Sequence, residues 1–169
     1  LDEDRFQHYA ARYGLMLAAG AIYGMAGDLK RLEQIGQHLL QAGLARGHPL
    51  SIAWASHFLG HAYFQWNRLD EAAAHWSTVA KWRYHANFMV YHDAMLGLVL
   101  IYHSQGNVEQ AQQTLDTLTQ VMLEINQIQF TPQLEAFRAR LALLRGEVGI
   151  AGHWLQTGVK PARASLWFW

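Results

Sequence analysis

The chain of 169 residues has no cysteine, only three prolines and no net charge. Without cysteine it can form neither disulfides nor thiolate metal sites. Thirteen basic residues balance thirteen acidic ones, so no overall basic field draws the chain to nucleic acid. Polar residues interrupt every apolar run well short of the ~20 residues that a bilayer span needs, and residues 1–20 lack the pattern of a signal peptide. We expect a soluble, cytoplasmic protein without direct nucleic-acid or membrane contacts.

Apolar residues recur at helical spacings. Ala, Leu, Gln and Glu dominate segments in which apolar residues stand three or four positions apart. One such stripe consists of Val108, Ala111, Leu115, Leu118, Met122 and Ile125. A chain of this length fits one domain and can bury roughly 70 % of its unfolded surface. The pattern therefore predicts one all-α domain over residues 1–169.

Four turn-like segments repeat along the chain, reading YGMAGDLKRL, YFQWNRLDEA, YHSQGNVEQA and ALLRGEVGIA. They superpose on Gly27, Asn67, Gly106 and Gly146, at steps of 40, 39 and 40 residues. Gly or Asn at such a position supplies the left-handed backbone conformation that ends one helix. A polar residue just after it, such as Asp28, can cap the next. Each unit is therefore predicted to be a helix, a tight turn and an antiparallel helix.

The predicted fold is a right-handed superhelix, or α-solenoid, of four helix-turn-helix repeats with a period of 39–40 residues. The units cover about 5–45, 50–85, 88–126 and 131–158. The predicted first helices are 5–26, 50–66, 88–105 and 132–145, and the second helices are 28–45, 69–85, 107–126 and 148–158. Pro49 and Pro132 suit a first helical turn, and Thr131 is the predicted cap of its helix.

The second unit, LGHAYFQWNRLDEAAAHW, resembles the tetratricopeptide (TPR) signature. The matching residues are Leu59, Gly60, Tyr63, Asn67, Ala72 and Trp76. The usual TPR period is about 34 residues, which is about five residues shorter than the period of this chain. Longer helices account for the difference.

The segment EAFRARLALLRGEVGIAGHWL is similar to the helical repeats of the large ATP-binding LuxR-type transcriptional regulators of bacteria, the MalT class. In that family the repeats lie between a signalling ATPase and a helix-turn-helix domain, and they bind inducer or regulatory partners. This chain contains no GxxxxGK[ST] stretch and no basic helix-turn-helix. The resemblance implies a regulatory, non-catalytic segment of such a regulator. The alternatives are a stand-alone TPR adaptor that binds a partner helix or peptide, and a metal-binding helical protein.

In a TPR stack the first helices line the concave face. The resemblance places six candidate binding residues in that groove: Trp54, His57, His61, Phe64, Asp93 and His103. This mainly aromatic and apolar set, with a few polar groups, suits a protein or peptide partner, or a small effector with an apolar body. The alternative interpretation is that the same side chains simply form core.

Two other chemistries receive less support. His57 and His61 have the four-residue spacing that can hold one ion, but no third ligand is obvious, although His75, His92 or His103 could approach. The serines lack a nucleophile-elbow glycine pattern, so no catalytic residues are predicted. We expect no enzyme activity, no metal and no cofactor.

The chain ends on SLWFW, residues 165–169. One further period places the first helix of a truncated fifth unit at 164–169, with Ser165 as its cap. Trp167, Phe168 and Trp169 are then expected to cover the apolar end of unit four or to mediate self-association with another chain.

Overall fold

A computed structural model describes the backbone of residues 3–84 and 86–156, and the side chains from residue 11 onward within those ranges. Across these ranges the fold is all-α, as predicted, with eight α-helices, one short 3-10 helix and no strand. The α-helices are α1 Glu3–Ala26, α2 Leu29–Arg46, α3 Pro49–Gln65, α4 Leu69–Lys81, α5 Phe88–Ser104, α6 Val108–Glu124, α7 Thr131–Leu144 and α8 Val148–Gln156. The 3-10 helix is Ile128–Phe130. No helix of the described part is long and apolar enough to cross a membrane.

All four predicted turn residues have left-handed backbone conformations. The φ angles are 70° at Gly27, 58° at Asn67, 78° at Gly106 and 77° at Gly146. At each turn the amide of the residue that follows the turn residue donates a hydrogen bond of 2.8 or 2.9 Å. The acceptor is the carbonyl of the residue four positions before the turn residue. The accepting residues are Tyr23, Tyr63, Tyr102 and Ala142. This is the hydrogen bond of a Schellman motif, which satisfies a carbonyl that a helix end leaves open. The repeated sequence positions therefore mark repeated helix endings.

Two further turns have the same backbone conformation, although their sequences indicated only connections between repeat units. Gly47 has a φ of 58° and Asn126 a φ of 55°. The His48 amide donates to the Gly43 carbonyl at 2.9 Å, and the Gln127 amide donates to the Met122 carbonyl at 2.8 Å. Helix endings of one type thus recur about every twenty residues on either side of the α4–α5 connection.

The α4–α5 connection differs from the others. α4 ends at Lys81 and not near residue 85, and Asn87 starts α5 by accepting a hydrogen bond from the Met89 amide at 2.9 Å. The predicted cap Thr131 is also wrong, because Phe130 is the N-cap of α7 and Thr131 is already helical. Asp28 does cap α2, since its Oδ1 accepts from the Arg31 amide at 3.2 Å.

The described helices group into two compact units, one that extends to residue 115 and one that begins at residue 116. In the first unit α3 packs against α1, α2, α4 and α5. Gly36 and Gly43 lie on one face of α2, and a Cβ at either would crowd Leu59 or Ile52 of α3. These glycines let the two helices approach closely, so α3 is buried almost all round.

The second unit contains the C-terminal half of α6 together with α7 and α8. Its buried residues include Leu118, Met122, Leu134, Phe137 and Leu141. Between α7 and α6 of this unit, the half-buried Arg138 donates to Thr119 Oγ1 at 3.0 Å, and within α7 it donates to Glu135 Oε1 at 3.0 Å.

Candidate binding site on helices α3 and α5

The six predicted site residues lie on two helices of the first unit. α3 carries Trp54, His57, His61 and Phe64, and α5 carries Asp93 and His103. The exposed fraction is only 2 % for His57, 3 % for His61 and 1 % for Asp93. Trp54, Phe64 and His103 are half-buried. An open groove was expected at all six positions, and at three of them the structure has interior instead. Their role in binding stays a prediction.

The indole of Trp76 on α4 organises this interior. A Cβ at Gly60 of α3 would collide with the pyrrole side of the indole, and a Cβ at Gly97 of α5 would collide with its benzene side. Trp76 therefore fills the space between two helices that have no side chain at the contact, as close packing of an interior requires. Ser56 and Asp93 precede these glycines by one helical turn. Their polar atoms are thereby placed in the interior of the same unit.

His57 and His61 are held as neutral imidazoles. Burial, together with a smaller contribution from the neighbouring His61, lowers the pKa of His57 from 6.5 to about 3. Burial also lowers the pKa of His61, to about 4. A buried site cannot solvate the charged form, so both rings stay neutral in a folded chain near pH 7. They can exchange hydrogen bonds with a partner but cannot provide a positive charge.

His92 and Asp93 form a buried polar pair at the start of α5. His92 Nδ1 lies 3.1 Å from Asp93 Oδ1, and both residues are 1 % exposed. Burial raises the pKa of the Asp93 carboxyl, while the hydrogen bond with His92 opposes that shift. His92 was not among the predicted site residues, although its carboxylate neighbour was.

Three polar atoms of this interior have no hydrogen-bond partner within the described residues: Ser56 Oγ on α3, Trp76 Nε1 on α4 and Asp93 Oδ2 on α5. Leaving a buried polar atom unsatisfied costs about 1–3 kcal/mol, and native proteins contain few such atoms. Three consecutive helices each contribute one of these atoms. Two of these helices, α3 and α5, carry the six sequence-predicted site residues.

Aromatic rings pack along α3 and against Trp76 of α4. The Trp54 ring meets His57 edge-on at 6.1 Å and Phe58 at 5.6 Å, both measured between ring centroids. Phe64 lies 5.4 Å from Trp76. Because Trp54 and Phe64 are half-buried, they extend from this interior to the surface. His103, in contrast, lies in the last turn of α5, remote from Asp93 near its start.

The described residues contain no group of three or more His, Cys, Asp and Glu side chains that could hold a metal ion. The geometry therefore gives the metal-binding alternative no support. The residues that sequence reasoning missed at this site are Ser56, Trp76 and His92. Trp76 was recognised only as part of the repeat signature, and the signal for its role was the pair Gly60 and Gly97.

Comparison with protein-family models, curated proteins and solved structures found no match to this chain in any of the three. Its likeness to TPR and MalT-type repeats therefore rests on the sequence motifs alone.

Proposed function

We propose that this chain is a non-catalytic interaction and effector-sensing segment, built as a TPR-like solenoid of four helical hairpins. The observation that carries the proposal is the set of unsatisfied polar atoms on Ser56, Trp76 and Asp93. A purely structural core gains nothing from them, because each lowers the stability of the free chain. A partner that supplies their missing hydrogen bonds recovers that free energy on binding.

The chemistry of the site indicates what the partner brings. Asp93 Oδ2 can accept from an N–H group, and a cationic group pairs best with a buried carboxylate. Trp54 and Phe64 are half-buried aromatic rings on α3, and they offer surface for an apolar body. The proposed ligand is therefore an apolar molecule, or the apolar face of a peptide, that carries one amine or guanidinium.

Binding requires a change of state, because Asp93 is 1 % exposed. The partner must select a state in which α3 and α5 admit it, and only its affinity difference between the two states can shift the equilibrium. In that state the spacing of neighbouring helices changes. Such a change is a signal that an adjacent domain can read.

The resemblance to MalT-type repeats supports a place for this segment within a larger bacterial transcriptional regulator. In that context the altered helix packing controls transcription through domains outside this chain. A stand-alone TPR adaptor uses the same site for a partner helix. Only the regulator has an ATPase and a helix-turn-helix domain encoded in the same gene, so the flanking coding sequence decides between them.

The site is tested by differential scanning fluorimetry with two matched panels of small molecules. One panel contains aryl-alkyl amines, and the other contains carboxylates with the same apolar bodies. We expect some amines to raise the melting temperature in a concentration-dependent manner while the matched carboxylates do not. Ligand that binds only the folded chain stabilises it by mass action.

The matched variants are Asp93→Asn at the site and Asp70→Asn, an exposed carboxylate on α4. Asp93→Asn should abolish the amine response, and Asp70→Asn should preserve it. If amines and carboxylates act alike, or if Asp93→Asn responds like the unchanged chain, the proposed site is wrong.

A further inference from the structure

An aromatic ring fills the contact between α1 and α3, and the ring belongs to α3 itself. A Cβ at Gly20 of α1 would lie only 2.3 Å from the Phe58 ring. The step of 39 residues between the second and third predicted turns leads from Phe58 to Gly97 of α5. At the position where α3 carries a ring, α5 therefore carries no side chain.

Between α3 and α5 the ring comes from a third helix. The indole of Trp76 on α4 lies against Gly60 of α3 with its pyrrole side and against Gly97 of α5 with its benzene side. This space, the Trp76 slot, is bounded by Gly60 and Gly97 on the two facing helices. Because neither of these residues has a side chain, the slot is a flat space that suits any ring of the size of an indole.

The indole is poorly satisfied in this slot. Trp76 is 1 % exposed, and its Nε1 has no hydrogen-bond partner within the described residues. A buried N–H group without a partner regains a hydrogen bond when it reaches water. The half-buried Phe64 ring lies 5.4 Å from the indole, so Trp76 is one side chain away from solvent at this contact.

Polar atoms lie one helical turn from the slot. Ser56 precedes Gly60 by four residues, and Asp93 precedes Gly97 by four. Residues four apart share a face of a helix and lie about 5–6 Å apart. Ser56 Oγ and Asp93 Oδ2 have no hydrogen-bond partner in the described part of the chain, and both residues are 1 % exposed. The helix faces that hold the indole therefore also carry a hydroxyl and a carboxylate oxygen that a ligand can engage.

We propose that Trp76 occupies the ligand site in the free chain, and that the flat bicyclic ring of an aromatic amine displaces the indole from the slot between Gly60 and Gly97. The amine, on a short alkyl arm, then pairs with Asp93 one turn away. The incoming ring restores the apolar contacts that the indole gives up. Displacement of Trp76 releases α4 from α3 and α5, which provides the change in helix packing that signalling requires. This inference rests on the proposed function, and it narrows the ligand class to bicyclic aromatic amines.

The need to displace Trp76 lowers the affinity of the unchanged chain. A minor state is typically populated to about 0.1–10 %, and the affinity for a ligand that binds only this state is reduced by the same fraction. Removal of the indole removes this cost. Trp76→Ala should therefore bind tryptamine roughly tenfold more tightly, or better, than the unchanged chain does. The matched control is Trp154→Ala, which removes an indole from α8 in the second unit and should bind like the unchanged chain.

Isothermal titration calorimetry with tryptamine, phenethylamine and indolepropionate measures these affinities. Tryptamine should bind Trp76→Ala most tightly. Phenethylamine should bind more weakly because its single ring fills less of the slot, and indolepropionate because its carboxylate meets Asp93. Circular dichroism checks the fold of each variant. Trp76→Phe keeps a smaller ring in the core as a second variant, and it should also bind tryptamine more tightly than the unchanged chain.

The outcomes separate this inference from the proposed function. If the unchanged chain binds tryptamine and both Trp76 variants bind it no better, Trp76 is not displaced and only the inference is overturned. An equal gain in affinity for Trp154→Ala overturns it as well. Binding by the Trp76 variants but not by the unchanged chain shows that the indole stays in place, which overturns both. The proposed function also fails, together with the inference, if none of the chains binds an amine.

Discussion

Acid should destabilise this protein well before its carboxylates titrate, because His57 and His61 are buried as neutral rings. Their pKa values are about 3 and about 4 in the folded chain, against an ordinary value of 6.5. The unfolded chain therefore binds more protons than the folded chain below pH 6.5. Stability is complete above that pH and falls as the pH drops toward the folded pKa values.

The size of the effect follows from those pKa values. One pKa unit corresponds to about 1.4 kcal/mol, so lowering the pH from 7 to 5 costs about 2 kcal/mol for each histidine and about 4 kcal/mol for both. A typical domain has a total stability of about 5–15 kcal/mol. For a chain of this size the melting temperature should fall by roughly 8–16 °C. Asp93 acts in the opposite direction, because burial raises the pKa of its carboxyl.

Urea unfolding followed by circular dichroism at pH 7, 6 and 5 measures this dependence. His57→Gln and His61→Gln should each remove about half of it, even where they lower stability at pH 7. His38→Gln, at an exposed histidine of α2, is the control. An unfolding free energy that stays constant from pH 7 to pH 5, or an equal loss in all three variants, refutes the reasoning.

Three further predictions concern backbone and core. Gly97→Ala should lower the free energy of unfolding by about 1–3 kcal/mol, because the added methyl group meets the Trp76 ring. Gly14→Ala, at an exposed helical position with open space around it, should raise the free energy of unfolding by about 0.5–1 kcal/mol. Equal urea midpoints of the two variants would contradict this prediction. Gly106→Ala should cost about 1–2 kcal/mol for its left-handed backbone, while Asn67→Gly should unfold at nearly the same temperature as the unchanged chain. Asp93→Asn should stabilise the free chain at pH 7, because burial raises the pKa of the Asp93 carboxyl. Calorimetry should show that this gain in stability shrinks toward pH 4. A gain in stability that does not depend on pH would mean that the charge of Asp93 is not the cause.

Helix endings were predictable from the sequence because their cause is local. A residue at positive φ strongly favours Gly or Asn, so Gly27 and Asn67 could be recognised without knowledge of the tertiary structure. The turns at Gly47 and Asn126 contain the same residue types, but the connections around them lack the aromatic and small residues that made the other four turns stand out. Thr131 failed as a cap because the preceding 3-10 helix already begins the turn at Phe130.

Burial of the site residues could not be predicted in the same way. Whether His57 lies in a groove or in the interior depends on how closely α3 approaches α2 and α5, and Gly36 and Gly97 determine that approach at other places in the chain. A helical pattern indicates which residues share a face, but it does not indicate how many neighbours that face has. α3 and α5 are apolar on nearly every side, so their helical periodicity did not indicate whether their polar side chains face the interior or the surface.

The turns at Gly27, Gly47, Gly106 and Gly146 are closed by backbone hydrogen bonds within six residues, and none depends on a distant side chain. A hairpin delimited by two such turns can be duplicated or deleted as a block while its neighbours keep their own endings intact. Change in the length of this protein during evolution is thus expected in steps of whole hairpins, each about forty residues long. Designers can use the same turns as splice points for lengthening or shortening the array.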